Sequence, residues 1–234
     1  MQTALKTGLS GNQLKLLALV LMTVDHIGMI LLPYHLILRI IGRLAMPVFA
    51  YMIAEGCRYT RSGRNYLVQM VSLGVVCALI NYFATGYQHL PIFITFSLSA
   101  GLIFSLERLL RQKNILNALL LVGVAGLVLL LCEVLPGKLS GLSFDVDYGF
   151  WGVLLPVLFY LGRNKTEKLI LGTFGLAMLA MDENWVQWFA LLAIPLLALY
   201  NGTRGKWKIK YLFYLYYPLH IALLYGIGYL RFLL

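Results

Sequence analysis

Acidic side chains are scarce in this sequence: nine Asp and Glu stand among 234 residues, and charged residues of both signs make up only 12%. So little charge lies well outside the range of an ordinary soluble domain. Cysteine is nearly absent as well. Cys57, Cys77 and Cys132 are scattered in or beside apolar runs without metal-ligand spacing, which predicts small packing residues. Also missing are a phosphate-cradling Gly-rich loop with Lys and Ser/Thr, an H-E-x-x-H pair and paired C-x-x-C motifs. No soluble nucleotide-binding or metal-dependent chemistry is signalled, and no metal site is expected.

What fills the chain is apolar: 61% of residues are hydrophobic and the mean hydropathy is +0.82. A membrane-crossing helix needs about 20 mostly apolar residues, because in lipid every backbone polar group must be satisfied within the segment. The sequence predicts an all-α, polytopic transmembrane bundle, a single domain over residues 1–234 with about nine spans. They cover 14–32, 38–57, 65–85, 91–110, 115–134, 148–162, 167–181, 184–200 and 210–231, the sixth and seventh being short. The N-terminus has only Lys6 before the first span and no small-residue cleavage site, so span 1 reads as a retained helix.

The formal net charge of +10 belongs to topology and not to nucleic acid, because the cations sit in short clusters between apolar runs. Clusters follow span 2 (Arg58, Arg61, Arg64), span 4 (Arg108, Arg111, Lys113), span 6 (Arg163, Lys165, Lys168) and span 8 (Arg204, Lys206, Lys208, Lys210). With Lys6 and Lys15 these hold 15 of the 19 basic residues. The intervening links are neutral or acidic, carrying His89, then Asp145 and Asp147, then Asp182 and Glu183. The positive-inside rule makes the basic side, and the N-terminus, cytoplasmic. Trp151, Trp185, Trp188, Trp207 and Tyr211 near span ends suit interfacial anchoring.

Against this background residues 21–56 stand out, with Asp25, His26, Arg39, Arg43 and Glu55 inside or beside apolar runs. An ionisable residue at bilayer depth costs about 2.5–3.5 kcal/mol even on mild scales, so the group reads as an intramembrane site. Span 1 reaches Asp25 and His26 about 17 Å from its start, slightly past the midplane. Arg39 and Arg43, spaced i, i+4, share one face at the start of span 2 and meet that depth. A single carboxylate–arginine pair would be explained as an interhelical ion pair, but a neighbouring histidine and a second arginine add proton-transfer and anion-binding chemistry. Asn81 in span 3 and His220 in span 9, beside Pro218, fall at compatible depth and are second candidates. Each alone is ordinarily a helix–helix hydrogen-bond partner. Glu55 ordinarily closes a helix-end ion pair with Arg58. Thr95, Ser97 and Ser99 read as packing residues, and His89, Asp145 and Asp147 as solvated groups of the outer face.

The stretches LKLLALVLMTVDHIG and RIIGRLAMPVFAYMIAEGCRYTRSGRNYL, then DYGFWGVLLP at 147–156 and YLFYLYYPLHIALL at 211–224, resemble the TraX family, whose named member is the acetylase of conjugative pilin. That family is similar to membrane acyltransferases with Arg, ten residues, then His in the first helix. Lys15 and His26 meet this spacing, with Lys keeping the charge and losing the bidentate fork. The resemblance implies transfer of an acetyl or similar group from cytoplasmic acyl-CoA to an acceptor on the outer side of a bacterial inner membrane: a pilin N-terminus, a glycan hydroxyl or a lipid-linked amine. His26 is then the general base, Asp25 its orienting partner, Arg39 or Arg43 the oxyanion stabiliser, and His220 and Asn81 neighbours in the pocket. Acetyl-CoA is the expected donor, its phosphates meeting Arg58, Arg61, Arg64 or Lys15 at the cytoplasmic mouth, with Glu55 at the same place. Rival readings are a proton-coupled secondary transporter, for which no inverted repeat is visible, and a non-catalytic component of a conjugation or secretion apparatus.

Overall fold

The computed structural model describes residues 8–138, 144–206 and 210–233. Lys6, Trp207 and Lys208 of the patterns above lie outside them. The chain divides into two compact units, Met1–Met52 with Asn184–Leu234, and Ile53–Glu183.

In the first unit, helix α1 (Gly11–His26) starts at a capping box: Ser10 accepts from the Gln13 backbone N–H, and the Gln13 side chain accepts from that of Ser10. Residue Leu9 pairs with the chain around Tyr200, through Leu9 N–H to Leu199 O at 2.8 Å and Asn201 N–H to Leu9 O at 3.0 Å. At its far end α1 widens into a π-helical turn, Ile27–Leu31, immediately after His26. Such turns are frequent at functional sites. Helix α2 (Leu36–Gly42) turns at Arg43 and Leu44 into α3 (Ala45–Tyr59), which belongs to this unit as far as Met52 and to the second from Ile53, so the expected second span is broken once. The stretch expected as an eighth α-helix opens instead as a 3₁₀ helix, Trp185–Leu192, before α10 (Ala193–Ala198). Pro195 explains this. Lacking an N–H and clashing with the carbonyl four residues back, it cannot extend an α-helix from the preceding turn, but it fits the first turn of a new one. Helix α11 (Lys210–Leu233) passes through Pro218 and completes the unit. Helix α1 packs on α2 and α11, and the 3₁₀ segment packs on α2.

Two glycines set the α1–α2 approach. A Cβ on Gly42 would overlap the backbone and side chain of Asp25, and one on Gly28 would stand 2.8 Å from the Leu38 Cβ.

The second unit is built on α5 (Ile92–Arg111), which packs against α4 (Gly63–Thr85), α6 (Ile115–Leu129) and α8 (Gly149–Leu161), while α9 (Lys165–Asp182) packs on α8. Ser62, Asn114 and Asn164 cap α4, α6 and α9. A second π turn, Leu130–Val134, and the short α7 (Leu135–Lys138) follow α6. Strands β1 (His89–Leu90) and β2 (Asp145–Val146) pair in parallel. Leu102, Val128, Cys132, Val146 and Val153 form one core cluster, and Cys57, Ala100 and Ile103 another. The three cysteines are buried and free, as packing residues should be. Two small polar residues of α5 tie it to α8 and the chain leading into it: Ser99 donates to Val153 O at 2.7 Å and Thr95 to Asp147 O at 2.8 Å, while Ser97 bonds within its own helix to Phe93 O.

Every predicted apolar stretch is helical among the described residues. Among the described residues five segments are long and apolar enough to cross a membrane: Gly11–Leu31, Leu36–Tyr59, Gly63–Thr85, Ile92–Arg111 and Ile115–Val134. Gly149–Leu161 and Trp185–Ala198 are apolar but shorter. Thirteen α-helical residues rise only about 20 Å against a hydrocarbon core of about 30 Å, which is why α8 falls short. Exposed Val68, Val71, Val75, Leu79 and Phe83 on α4, with Leu116, Leu119 and Val122 on α6, are apolar surface suited to lipid.

Candidate functional site

The site lies in the first unit and radiates from the last turn of α1. Consecutive residues on an α-helix point about 100° apart, so Asp25 and His26 address different neighbours. Asp25 faces α2. Arg39 Nη1 donates to Asp25 Oδ2 at 2.7 Å and to the Asp25 carbonyl at 3.2 Å, and Arg43 Nη2 stands 3.6 Å from Oδ1. The i, i+4 arginines and the carboxylate therefore meet as their spacing predicts. Their side chains are largely buried, with Asp25 at 13% exposure and Arg43 at 10%. Guanidinium on both carboxylate oxygens keeps a charge in an apolar setting, provided each partner is retained.

His26 faces α11. Its Nδ1 lies 3.1 Å from Nε2 of His220, whose own Nδ1 lies 3.0 Å from the Tyr216 carbonyl. A carbonyl only accepts, so His220 Nδ1 carries a proton. In the neutral pair, His220 Nε2 is then the acceptor and His26 Nδ1 the donor, leaving the lone pair of His26 at Nε2. Tyr216 stacks on His220, with ring centroids 5.1 Å apart and planes 13° apart, and Tyr217 meets both histidines edge-on. Thr23 donates to the Leu19 carbonyl and so accepts from the Tyr216 hydroxyl at 2.6 Å, tying α11 to α1 one turn before the histidine.

This geometry changes one expected role. Asp25 is engaged by arginine, and the group behind the His26 ring is His220. The sequence separation of 194 positions conceals the pairing of the histidines, although His220 itself is legible as a polar residue in an apolar helix.

Gln187, on the 3₁₀ segment, is a site residue that sequence pattern did not signal. It is 1% exposed, and its Oε1 accepts from Arg43 Nη1 at 3.2 Å. Among the described residues, Asp25 Oδ1 and Gln187 Nε2 are buried without a hydrogen-bond partner. Lys15 lies on α1 about 16 Å along the axis from His26, with Arg204 as a charged neighbour.

The remaining expected residues lie in the second unit. Asn81 is on α4, its backbone carbonyl accepting from Thr85. Glu55 pairs with Lys168 Nζ at 2.5 Å, a buried pair that replaces the helix-end pairing with Arg58. Lys168 begins α9, which packs on α8, a contact that no local spacing reveals. Arg58 donates to the Tyr160 and Gly162 carbonyls at 2.6 and 3.2 Å and lies 5.0 Å from the Tyr160 ring centre, so it caps the end of α8. Arg61 and Arg64 are exposed. A cleft of about 360 Å³ at the end of α5 is lined by Phe104, Glu107, Arg108, Arg111 and Gln112, none of which was expected as a site residue.

His89, Asp145 and Asp147 are paired rather than separately solvated. His89 Nδ1 meets Asp145 Oδ1 at 2.7 Å and Nε2 stands 4.0 Å from Asp147. Burial is the largest influence on His89 and opposes its charge, but the Asp145 hydrogen bond and the charges of Asp147 and Asp145 together hold its pKa above the ordinary value. No group of three or more metal-ligating His, Cys, Asp or Glu side chains occurs among the described residues.

No solved structure matches the chain. It is 28% identical to the probable fimbrial assembly protein FimC, serogroup H1, of Dichelobacter nodosus, over 92% of this chain and 94% of that one. A 38-residue stretch is 60% identical to the uncharacterized protein RP591 of Rickettsia prowazekii (strain Madrid E), covering 16% and 15% of the two chains. The pattern described as TraX protein matches residues 10–228, taking in both units and every residue of the Asp25–Arg39–Arg43 and His26–His220 groups, and on that match the chain belongs to the TraX family.

Proposed function

We propose that the protein is an integral membrane acetyltransferase that moves an acyl group from cytoplasmic acyl-CoA to an acceptor on the outer side of the inner membrane. The observation that carries this reading is the His26–His220 pair, whose hydrogen bonds direct the His26 lone pair to Nε2. In the proposed reaction Nε2 takes the proton of the acceptor N–H or O–H as its nitrogen or oxygen attacks the thioester carbonyl carbon. The C–S bond then breaks, and the departing CoA thiolate takes that proton from His26. Charge gained by His26 passes onto the Nδ1–H···Nε2 contact with His220, which is backed by the Tyr216 carbonyl. Asp25 fixes the two arginines and thereby places positive charge beside the reacting carbonyl.

The basic loops that define the cytoplasmic side in this reading carry Arg61 and Arg64, which are exposed and suited to the phosphates of CoA. Arg58 is engaged by backbone carbonyls, so the phosphate-binding role falls on its neighbours. The fimbrial assembly description of the Dichelobacter relative favours an acceptor within a surface fibre. It equally favours a non-catalytic assembly role as the second reading.

The deciding experiment is calorimetric binding of acetyl-CoA to the detergent-purified protein, with labelled acetyl transfer followed in membranes. Wild type is expected to bind and transfer, Arg61→Ala to bind more weakly, and His26→Ala to bind and not transfer. Transfer by His26→Ala removes His26 from the mechanism. No binding by wild type turns the reading to assembly without catalysis.

A further inference from the structure

The polar group around Arg43 is incomplete in a chemically specific way. Gln187 Nε2 is a primary amide nitrogen, which can only donate, and Asp25 Oδ1 is a carboxylate oxygen facing arginine, which can only accept. Both belong to groups that touch the same guanidinium: Arg43 Nη1 is bound to Gln187 Oε1 at 3.2 Å, and Nη2 lies 3.6 Å from Asp25 Oδ1. Both are buried without a hydrogen bond among the described residues. Burial without a hydrogen bond is costly for a donor or an acceptor, so an amide N–H with no acceptor and a carboxylate oxygen held only by a 3.6 Å ion pair, both beside one arginine, describe a site suited to a ligand that carries both an acceptor oxygen and a donor. The Oε1 contact with Arg43 fixes which way the amide faces, and the open atom is the donor.

We propose that Gln187 is a substrate-binding residue whose Nε2 amide donates to the carbonyl oxygen of an acyl thioester, while Asp25 Oδ1 accepts an N–H from the same molecule. This rests on the acyltransferase reading. The arm of a CoA thioester carries both groups, a carbonyl on sulfur and an amide N–H two carbons away. Arg43, held by Gln187 Oε1, keeps positive charge close to that carbonyl oxygen, where negative charge develops on attack. The 3₁₀ segment is thereby assigned a role in binding the donor, in addition to packing against α2.

The test compares acetyl-CoA with S-ethyl-CoA, a thioether that lacks only the carbonyl oxygen. Calorimetry is run on purified wild type, Gln187→Met and Gln187→Glu. The Glu variant keeps an oxygen for Arg43 and loses the donor, so it separates carbonyl recognition from the support of Arg43, and it carries the test if the Met variant fails to fold. Wild type is expected to prefer acetyl-CoA about 10-fold, the scale of one hydrogen bond, and both variants to bind the two compounds alike. A preference that survives in a folded variant overturns the assignment. Equal binding of both compounds by wild type also overturns it and leaves the acyltransferase reading standing. Binding of neither compound by wild type removes both.

Discussion

The two units treat buried polarity differently. In the second, the buried polar side chains pair with their own surroundings: Glu55 with Lys168, Ser99 with a carbonyl of α8, and Asn117 with the Arg108 and Gln112 carbonyls. In the first, Gln187 Nε2 and Asp25 Oδ1 beside Arg43 are buried without a hydrogen bond among the described residues, Oδ1 having only the 3.6 Å ion pair with Arg43, and the two histidines bond to each other. A polar network that satisfies itself specifies packing. One that leaves donors and acceptors open has a stability cost that only a ligand recovers.

The comparison breaks most visibly at the histidines. His26→Ala is expected to lower acetyl transfer about 10²–10⁴-fold, as loss of a general base does, with the melting temperature little changed. His220→Ala, which removes only support of the base, is expected to cost less, so equal losses would make the pair a single functional unit.

Next come the ion pairs. Removing one partner from a buried pair costs about 3–5 kcal/mol, because the other charge remains uncompensated. Glu55→Ala and Asp25→Ala should both destabilise on this scale in thermal melts. The apolar double variant Glu55→Leu with Lys168→Met should recover stability and keep transfer. Asp25→Leu with Arg39→Met should recover part of the stability and no transfer. Transfer retained by that second double variant would reduce the first unit's pair to packing.

Smaller in effect is Gly42→Ala, whose Cβ must displace Asp25. Overpacking costs about 1–3 kcal/mol, and here it should also loosen the Arg39 contact and lower transfer. Glycine α1–α2 contacts thus sharpen the contrast with α8 and α9, where Gly172 lies against Phe159 and Gly175 against Leu158, and where Ala should alter stability alone.

The smallest effect is pH-dependent. His89 binds its proton more tightly folded than unfolded, so its pairing with Asp145 and Asp147 is fully stabilising below the ordinary histidine value. That contribution disappears as pH rises through the raised folded value. Because these groups are partly exposed, the gain is about 0.2–1 kcal/mol. Wild type should melt slightly lower in mildly alkaline than in mildly acidic buffer relative to His89→Gln; no difference would make the pair inert.

Much of this was open to sequence reading. Apolar runs of spanning length dictate helices because lipid leaves the backbone no other partner, and the i, i+4 arginines announce their shared face. Asp25 meets Arg39 and Arg43 as the i, i+4 spacing of the two arginines predicts. Tertiary structure alone decided the rest. His26 turns to His220 because the helix rotates each residue about 100° from the last, which adjacency in sequence conceals. Lys168 reaches Glu55 because α9 starts beside it, across 113 residues. Gln187, in the run WVQWF, carries no local mark of function, since periodicity tells which residues are apolar and not which buried amide is left without a hydrogen-bond partner.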